Sequence, residues 1–177
     1  MLQHPTTPLA ELGVTPEQIG NLEKLASWLL NHADQINFNM EIFARAYVSS
    51  EENDEIGENP ADLWAFVNEH KCGAVGCAIG HGPAAGIAPL KGEEWVAYAI
   101  RAFGVQGDAR HGARGPLWEF LFSSDWSGAD NSASGAGKRI LYALDHGVPS
   151  VADTTVMQCD EDAPLCYLEE APAQPSL

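Results

Sequence analysis

Apolar residues recur at helical spacing through most of this chain, and residues that start or stop helices bracket each stretch. Ile19, Leu22, Leu25, Ala26 and Leu29 share one helical face. Thr15-Pro16-Glu17-Gln18 precedes them, with a capping threonine, a first-turn proline and a capping-box glutamine, so the spacing predicts a helix to about His32. Asn59-Pro60-Ala61-Asp62 opens a second helix in the same way, with Leu63, Phe66 and Val67 on its apolar face and an end near His70. Trp95, Tyr98, Ala99, Ala102 and Phe103 give the clearest helix, 93–103, and Gly104 stands where a C-terminal glycine belongs. Pro116 to Phe122 reads as a short aromatic helix. Ala136, Ile140, Ala143 and Leu144 mark a last one, started by Asn131 or Ser132 and stopped by Gly147 and Pro149.

The intervening stretches carry weaker signals. Ile36 to Met40 alternates polar with apolar residues over too few positions to separate strand from loop, and 41–47 suits a short helix or an extended piece. A small hairpin near 34–48 is compatible with both. Residues 74–80 suit a short, tightly packed helix, followed by loop at Gly82-Pro83 and Ala88-Pro89. Residues 107–115 read as a loop carrying Arg110, His111 and Arg114. The expected fold class is mostly α: a compact single-domain helical fold with long Gly/Pro-rich loops. An irregular lead-in over 1–14, one helical domain over 15–149 and an acidic, flexible tail over 150–177 complete the expected organisation.

Charge sharpens this division. The net charge is −16 over 177 residues. Residues 1–70 carry twelve acids against Lys24 and Arg45, and 148–177 carry six acids and no base, whereas 71–147 balance seven against seven. Direct nucleic-acid binding is not expected, because phosphate contact needs Lys and Arg. The acidic ends suit a solvated surface, with an acidic DNA mimic as the sharper alternative. No apolar run has the length of a membrane span, and the start Met1-Leu2-Gln3-His4-Pro5 lacks the order of a signal peptide, so a cytoplasmic location is expected. In that compartment Cys72, Cys77, Cys159 and Cys166 are expected as thiols or metal ligands rather than disulfides.

The candidate chemistry lies in the balanced middle. Cys72-Gly73-Ala74-Val75-Gly76-Cys77-Ala78-Ile79-Gly80-His81-Gly82-Pro83 places two thiols and an imidazole among four glycines. Cys72, Cys77 and His81 have the softness that zinc prefers, and His111 is the natural fourth ligand. Against this stands packing: free Cys behaves as a small hydrophobe, and Gly73, Gly76 and Gly80 allow close approach beneath Trp95, Trp118 and Trp126. A nucleophilic Cys72 served by His81 or His111 lacks any surrounding acyl-transfer signature. The glycine run resembles a phosphate loop in composition only, without the Gly-Lys-Ser/Thr end. Arg101, His111 and Arg139 are the candidate binding residues for a small anionic ligand, and surface ion pairing is the plainer role for such cations. Asp125, Asp130 and Asn131 are a candidate carboxylate cluster, against which Asp125 beside Trp126 and Asn131 ahead of a helix read as turn and cap residues.

Several of these pieces occur together in an uncharacterised family of small bacterial and bacteriophage proteins that this chain resembles. That family carries a Cys-Gly-Thr-x-x-Cys-x-x-Gly segment after a leading helix and a Phe-x-Met. A helix ending in Phe/Leu-Gly follows, then Leu-Phe-x-x-x-Trp and a closing Ala-x-x-Arg-Ile helix. The corresponding residues are Phe38-Asn39-Met40, Cys72-Gly73 with Cys77 and Gly80-His81, Phe103-Gly104, Leu121-Phe122 with Trp126, and Ala136 with Arg139-Ile140. Ala74 replaces the usual Thr, and His81 stands where many members have Trp. The resemblance implies a fold grouping and a phage or prophage origin. The expected function is a non-catalytic accessory protein that modulates a host process by binding a host protein or a small ligand, without a cofactor. A zinc- or small-anion-binding protein centred on Cys72, Cys77 and His81, and a Cys- or metal-dependent enzyme, are the alternatives.

Overall fold

Two helix starts show how closely local sequence dictates local structure. In the computed structural model, which describes residues 5–47, 55–56, 59–70, 74–108, 112–124, 126, 129–149, 157–158 and 167–168, helix α1 spans Pro16–His32. Its capping box is complete: Gln18 N–H donates to Thr15 Oγ1 at 3.3 Å and Thr15 N–H donates to Gln18 Oε1 at 2.9 Å. Helix α2 spans Pro60–His70, and the Asp62 N–H donates to Asn59 Oδ1 at 2.9 Å. Helices α3 (Trp95–Phe103), α4 (Pro116–Leu121) and α5 (Ala133–His146) follow. Gly104 ends α3 in the left-handed conformation at φ 75°, and Ser132 Oγ caps α5 by accepting the Gly135 N–H.

The strands are short. They comprise β1 (Thr6–Thr7), β2 (Asn37–Phe38), β3 (Ala44–Tyr47), β4 (Glu55–Ile56), β5 (Val75–Gly76), β6 (Gln106–Asp108), β7 (Gly112–Arg114), β8 (Val148–Pro149), β9 (Met157–Gln158) and β10 (Tyr167–Leu168). Four of them form a sheet in the order β2-β5-β3-β4, with β2 parallel to β5 and the other pairs antiparallel. The remaining strands pair antiparallel as β1 with β8, β6 with β7 and β9 with β10.

The architecture is therefore mixed α/β, which corrects the mostly α expectation. Strands of two to four residues are too brief for alternation to register in sequence. The hairpin expected near 34–48 is corrected as well. β2 and β3 do not pair with each other; β5, from far along the chain, lies between them. A hairpin forms instead by β6 and β7, where a loop was expected, with Gly107 at φ 142° and Gly112 at φ 77°. The expected short helix over 74–80 becomes β5 followed by a 3-10 turn, Ile79–His81. Thr6 and Thr7, in the lead-in, pair with Pro149 and Val148. The flexible tail expected over 150–177 lies outside the described residues, apart from β9 and β10.

Helix α1 packs most extensively on α5 and then on α3. A Cβ on Gly137 would sit 2.8 Å from Leu30 Cγ and 3.3 Å from the Ala26 carbonyl, so α5 approaches α1 closely there. Polar residues of α1 also close the end of α3. Gln18 Nε2 donates to the carbonyls of Ile100 and Arg101 at 3.2 and 3.1 Å, and Asn21 Nδ2 to that of Ala102 at 3.0 Å; the Arg101 and Ala102 carbonyls are acceptors that a helix end leaves unpaired, while that of Ile100 also accepts the Gly104 N–H. The core gathers Leu22, Leu25, Leu29, Tyr98, Phe103, Phe120, Phe122 and Ile140, all fully buried. Among the described residues no helix is long and apolar enough to cross a membrane.

Candidate functional site

The segment rich in Cys, Gly and His runs through β5 into the 3-10 turn and is buried throughout 76–82. Its glycines serve backbone approach. A Cβ on Gly80 would collide with the Phe43 carbonyl oxygen, and one on Gly76 would lie 2.5 Å from the same oxygen and 2.9 Å from Ala44 Cβ. The Cys77 N–H donates to the carbonyls of Ile42 and Phe43 at 2.9 and 3.1 Å, which fixes the turn against β3. Gly82 makes room for Tyr98, whose hydroxyl donates to the Ile87 carbonyl at 2.7 Å.

Cys77 is 2% exposed. Its thiol lies near backbone groups of Gly80 and Ile79 that favour the thiolate, yet burial dominates and pushes it up to about 11. The thiol is therefore neutral at physiological pH, poorly suited to attack a substrate and reluctant to form the thiolate that zinc requires.

His81 is also 2% exposed. Its ring stacks on Trp28 at 5.1 Å between centroids and on Phe38 at 6.1 Å, and His32 stacks on Trp28 at 4.8 Å. Nε2 lies 3.3 Å from the Asn37 carbonyl, and the buried Nδ1 has no hydrogen-bond partner among the described residues. Burial holds its pKa below the ordinary imidazole value, opposed by the carbonyls of Asn37 and Gly76.

The tryptophans around this segment are not those expected from sequence. Trp28 meets His81, and the Trp64 indole N–H donates to the Gly80 carbonyl at 3.2 Å. Trp95 and Trp118 meet Phe43 instead, at 5.8 and 5.9 Å, and Trp126 meets Phe120 at 5.0 Å. The helical spacing of α1 marked Leu22, Leu25 and Leu29 as its buried face, while Trp28 and His32 lie beside that stripe and gave no separate signal.

Of the proposed zinc ligands, Cys72 and the fourth candidate His111 lie outside the described residues. Among the described residues no group of three or more His, Cys, Asp or Glu is placed to hold a metal.

The candidate binding residues occupy different settings. Arg101 on α3 is held by Glu93: Nε donates to Oε1 and Nη2 to Oε2, both at 2.7 Å, while Nη2 also reaches the Ala88 carbonyl at 3.1 Å. Its guanidinium lies over the Tyr98 ring at 5.6 Å. This two-pronged pair lowers the Glu93 pKa and raises that of Arg101.

Arg139 on α5 is 1% exposed, and its Nη2 donates to Asn131 Oδ1 at 3.4 Å. Its polar partners have no residue in common with those of Arg101. Asp130 Oδ1 accepts the Ser132 N–H at 2.9 Å and Asn131 Nδ2 donates to the Ser124 carbonyl at 3.0 Å, while Ser132 rather than Asn131 caps α5, and Asp125 lies outside the described residues.

A separate cleft of about 400 Å³ opens beside the starts of α2 and α3, lined by Asn59, Gly92, Glu94, Trp95 and Val96. No protein-family model, curated protein or solved structure matches this chain.

Proposed function

We propose that this protein works by binding rather than by catalysis, as an accessory protein of phage or prophage type that modulates a host process. The observation that carries the reading is the burial of Cys77 and His81. Within the most chemistry-rich stretch of the chain, the Cys77 thiol and the His81 imidazole are spent on packing, with that thiol neutral and the ring stacked on Trp28 and Phe38. A phage or prophage origin rests on the motif resemblance alone.

Site-resolved alkylation tests the reading. Native protein is treated with iodoacetamide near neutral pH, and each cysteine is followed by peptide mass spectrometry. Cys77 is expected to stay unmodified until denaturant is added, because reaction requires an exposed thiolate. Alkylation of Cys77 in the native state at the rate of a free thiol would overturn the reading.

A further inference from the structure

Arg139 lies midway along α5, flanked on its buried face by Ala136, Ile140 and Ala143. Its side chain reaches back toward the start of its own helix, because its Nη2 partner, Asn131, immediately precedes the capping Ser132. That contact is long, at 3.4 Å, and both Nε and Nη1 are buried without a partner among the described residues. Burial lowers the guanidinium pKa to about 10, so the group is still charged at neutral pH. Asp130 is the acid that acts on it, but this carboxylate is exposed and one of its oxygens is engaged by the Ser132 N–H. A buried cation, the positive end of a helix dipole of 14 residues and unfilled donors therefore meet at one place.

We propose that Arg139 and the N-terminal end of α5 form a binding site for a small oxyanion of the phosphate type. A water molecule satisfies donors but leaves the buried charge uncompensated, whereas an oxyanion supplies acceptors and countercharge together. The planar guanidinium suits phosphate oxygens better than a point charge does. The near-complete burial of Arg139 limits the ligand to one that the structure can enclose. At a net charge of −16 the molecule as a whole repels anions, so measurable affinity must come from a local site. The proposal deepens the binding reading and rests on it. The two fail separately, because alkylation reads Cys77 and the following experiment reads Arg139.

The full chain is purified without phosphate and titrated at constant ionic strength with inorganic phosphate, with a nucleoside monophosphate, and with chloride as control. Near-saturating phosphate, at about a hundred times its Kd, is expected to raise the melting temperature by roughly 5–10 °C and to broaden the phosphorus-31 resonance, while chloride does neither. Response to the free ion marks an enclosed site, and response to the monophosphate alone marks a phosphoryl group carried on a larger molecule. Arg139→Gln is expected to abolish the response and Arg139→Lys to weaken it. Where Arg139→Gln fails to fold, Asn131→Ala at the exposed rim is expected to weaken phosphate binding several-fold. An absent response to both phosphate and the monophosphate in the parent protein, or an unchanged one in a folded Arg139 variant or in Asn131→Ala, overturns the proposal.

Discussion

Replacing Gly80 by alanine inserts a methyl group into space already occupied by backbone. The added Cβ would overlap the Phe43 carbonyl oxygen, lie 2.7 Å from the carbonyl carbon and approach Ala44 Cβ to 3.0 Å. A flexible side chain can rotate away from such an intruder, but a backbone carbonyl at the entry to β3 that already accepts the Cys77 N–H cannot. The turn must therefore separate from β3, which weakens the Cys77 N–H bonds to Ile42 and Phe43 and the Trp64 bond to the Gly80 carbonyl. Overpacking of a well-packed core costs about 1–3 kcal/mol, and each compromised hydrogen bond adds about 0.5–1.5 kcal/mol. Gly80→Ala is expected to destabilise the protein by roughly 3–5 kcal/mol, large against the whole stability of an ordinary domain.

Two other glycines calibrate the measurement. Gly86 has open space around its Cβ position but φ +80°, so Gly86→Ala bears only the conformational cost of about 1–2 kcal/mol. Gly20 lies within α1, also in open space and without a positive φ, so Gly20→Ala should stabilise by about 0.5–1 kcal/mol. Urea melts followed by tryptophan fluorescence and circular dichroism rank the three variants. A Gly80→Ala cost no larger than that of Gly86→Ala would refute the close approach of the turn to β3.

Three further outcomes follow from the same contacts. The unfolded chain binds a proton on His81 near pH 6.5, and the folded chain does so only at lower pH; this contribution to stability is constant above about 6.5 and is lost as pH falls through the folded value, with a slope of at most about 1.4 kcal/mol per pH unit. The stability difference between parent and His81→Phe, measured by urea midpoints across pH 5–8, should therefore shift in favour of the variant below about pH 6.5, and a pH-independent difference would contradict the assignment. Glu93→Gln breaks a two-pronged pair whose arginine side chain is 36% exposed and whose glutamate side chain is 7% exposed, so its expected cost is about 1–2 kcal/mol, above that of an ordinary surface pair, and shrinks only in part in high salt; a cost near zero would show the pair to be a solvated surface contact. Metal analysis of purified full chain should give substoichiometric zinc unaffected by Cys77→Ser, whereas one zinc per chain that disappears in this variant would make Cys77 a ligand rather than a packing residue.

The helices were legible because their signals are local. Thr15 with Gln18, Asn59 with Asp62, Ser132 and Gly104 each act within a turn of the element they bound, and all are used as their sequence positions predict. The sheet was not legible, because its signal is relational. β5 is two residues long, and it pairs with residues of β2 and β3 that lie thirty or more positions earlier, so no local period announces them. Gly76 and Gly80 stand out by composition, but that they face the Phe43 carbonyl rather than an indole depends on the sheet register. The stack on His81 escaped for the same reason: Trp28 and Phe38 reach it from different elements.

Among the described residues His81 and Arg139 are the two buried polar or charged side chains, and the contrast between them locates the binding proposal. Both leave nitrogen atoms without partners. For His81 the shortfall is modest, because burial favours the neutral ring and flanking aromatic rings contribute about 0.5–1.5 kcal/mol per pair. Arg139 has no such escape. A guanidinium with a pKa of about 10 is charged under any physiological condition, and among the described residues the guanidinium that lies over an aromatic ring is that of Arg101. A polar group that can neutralise itself can serve as core; one that cannot requires a countercharge. Packing therefore accounts for the imidazole that the glycine-rich segment made conspicuous, and leaves unexplained an arginine that helical spacing buried without remark.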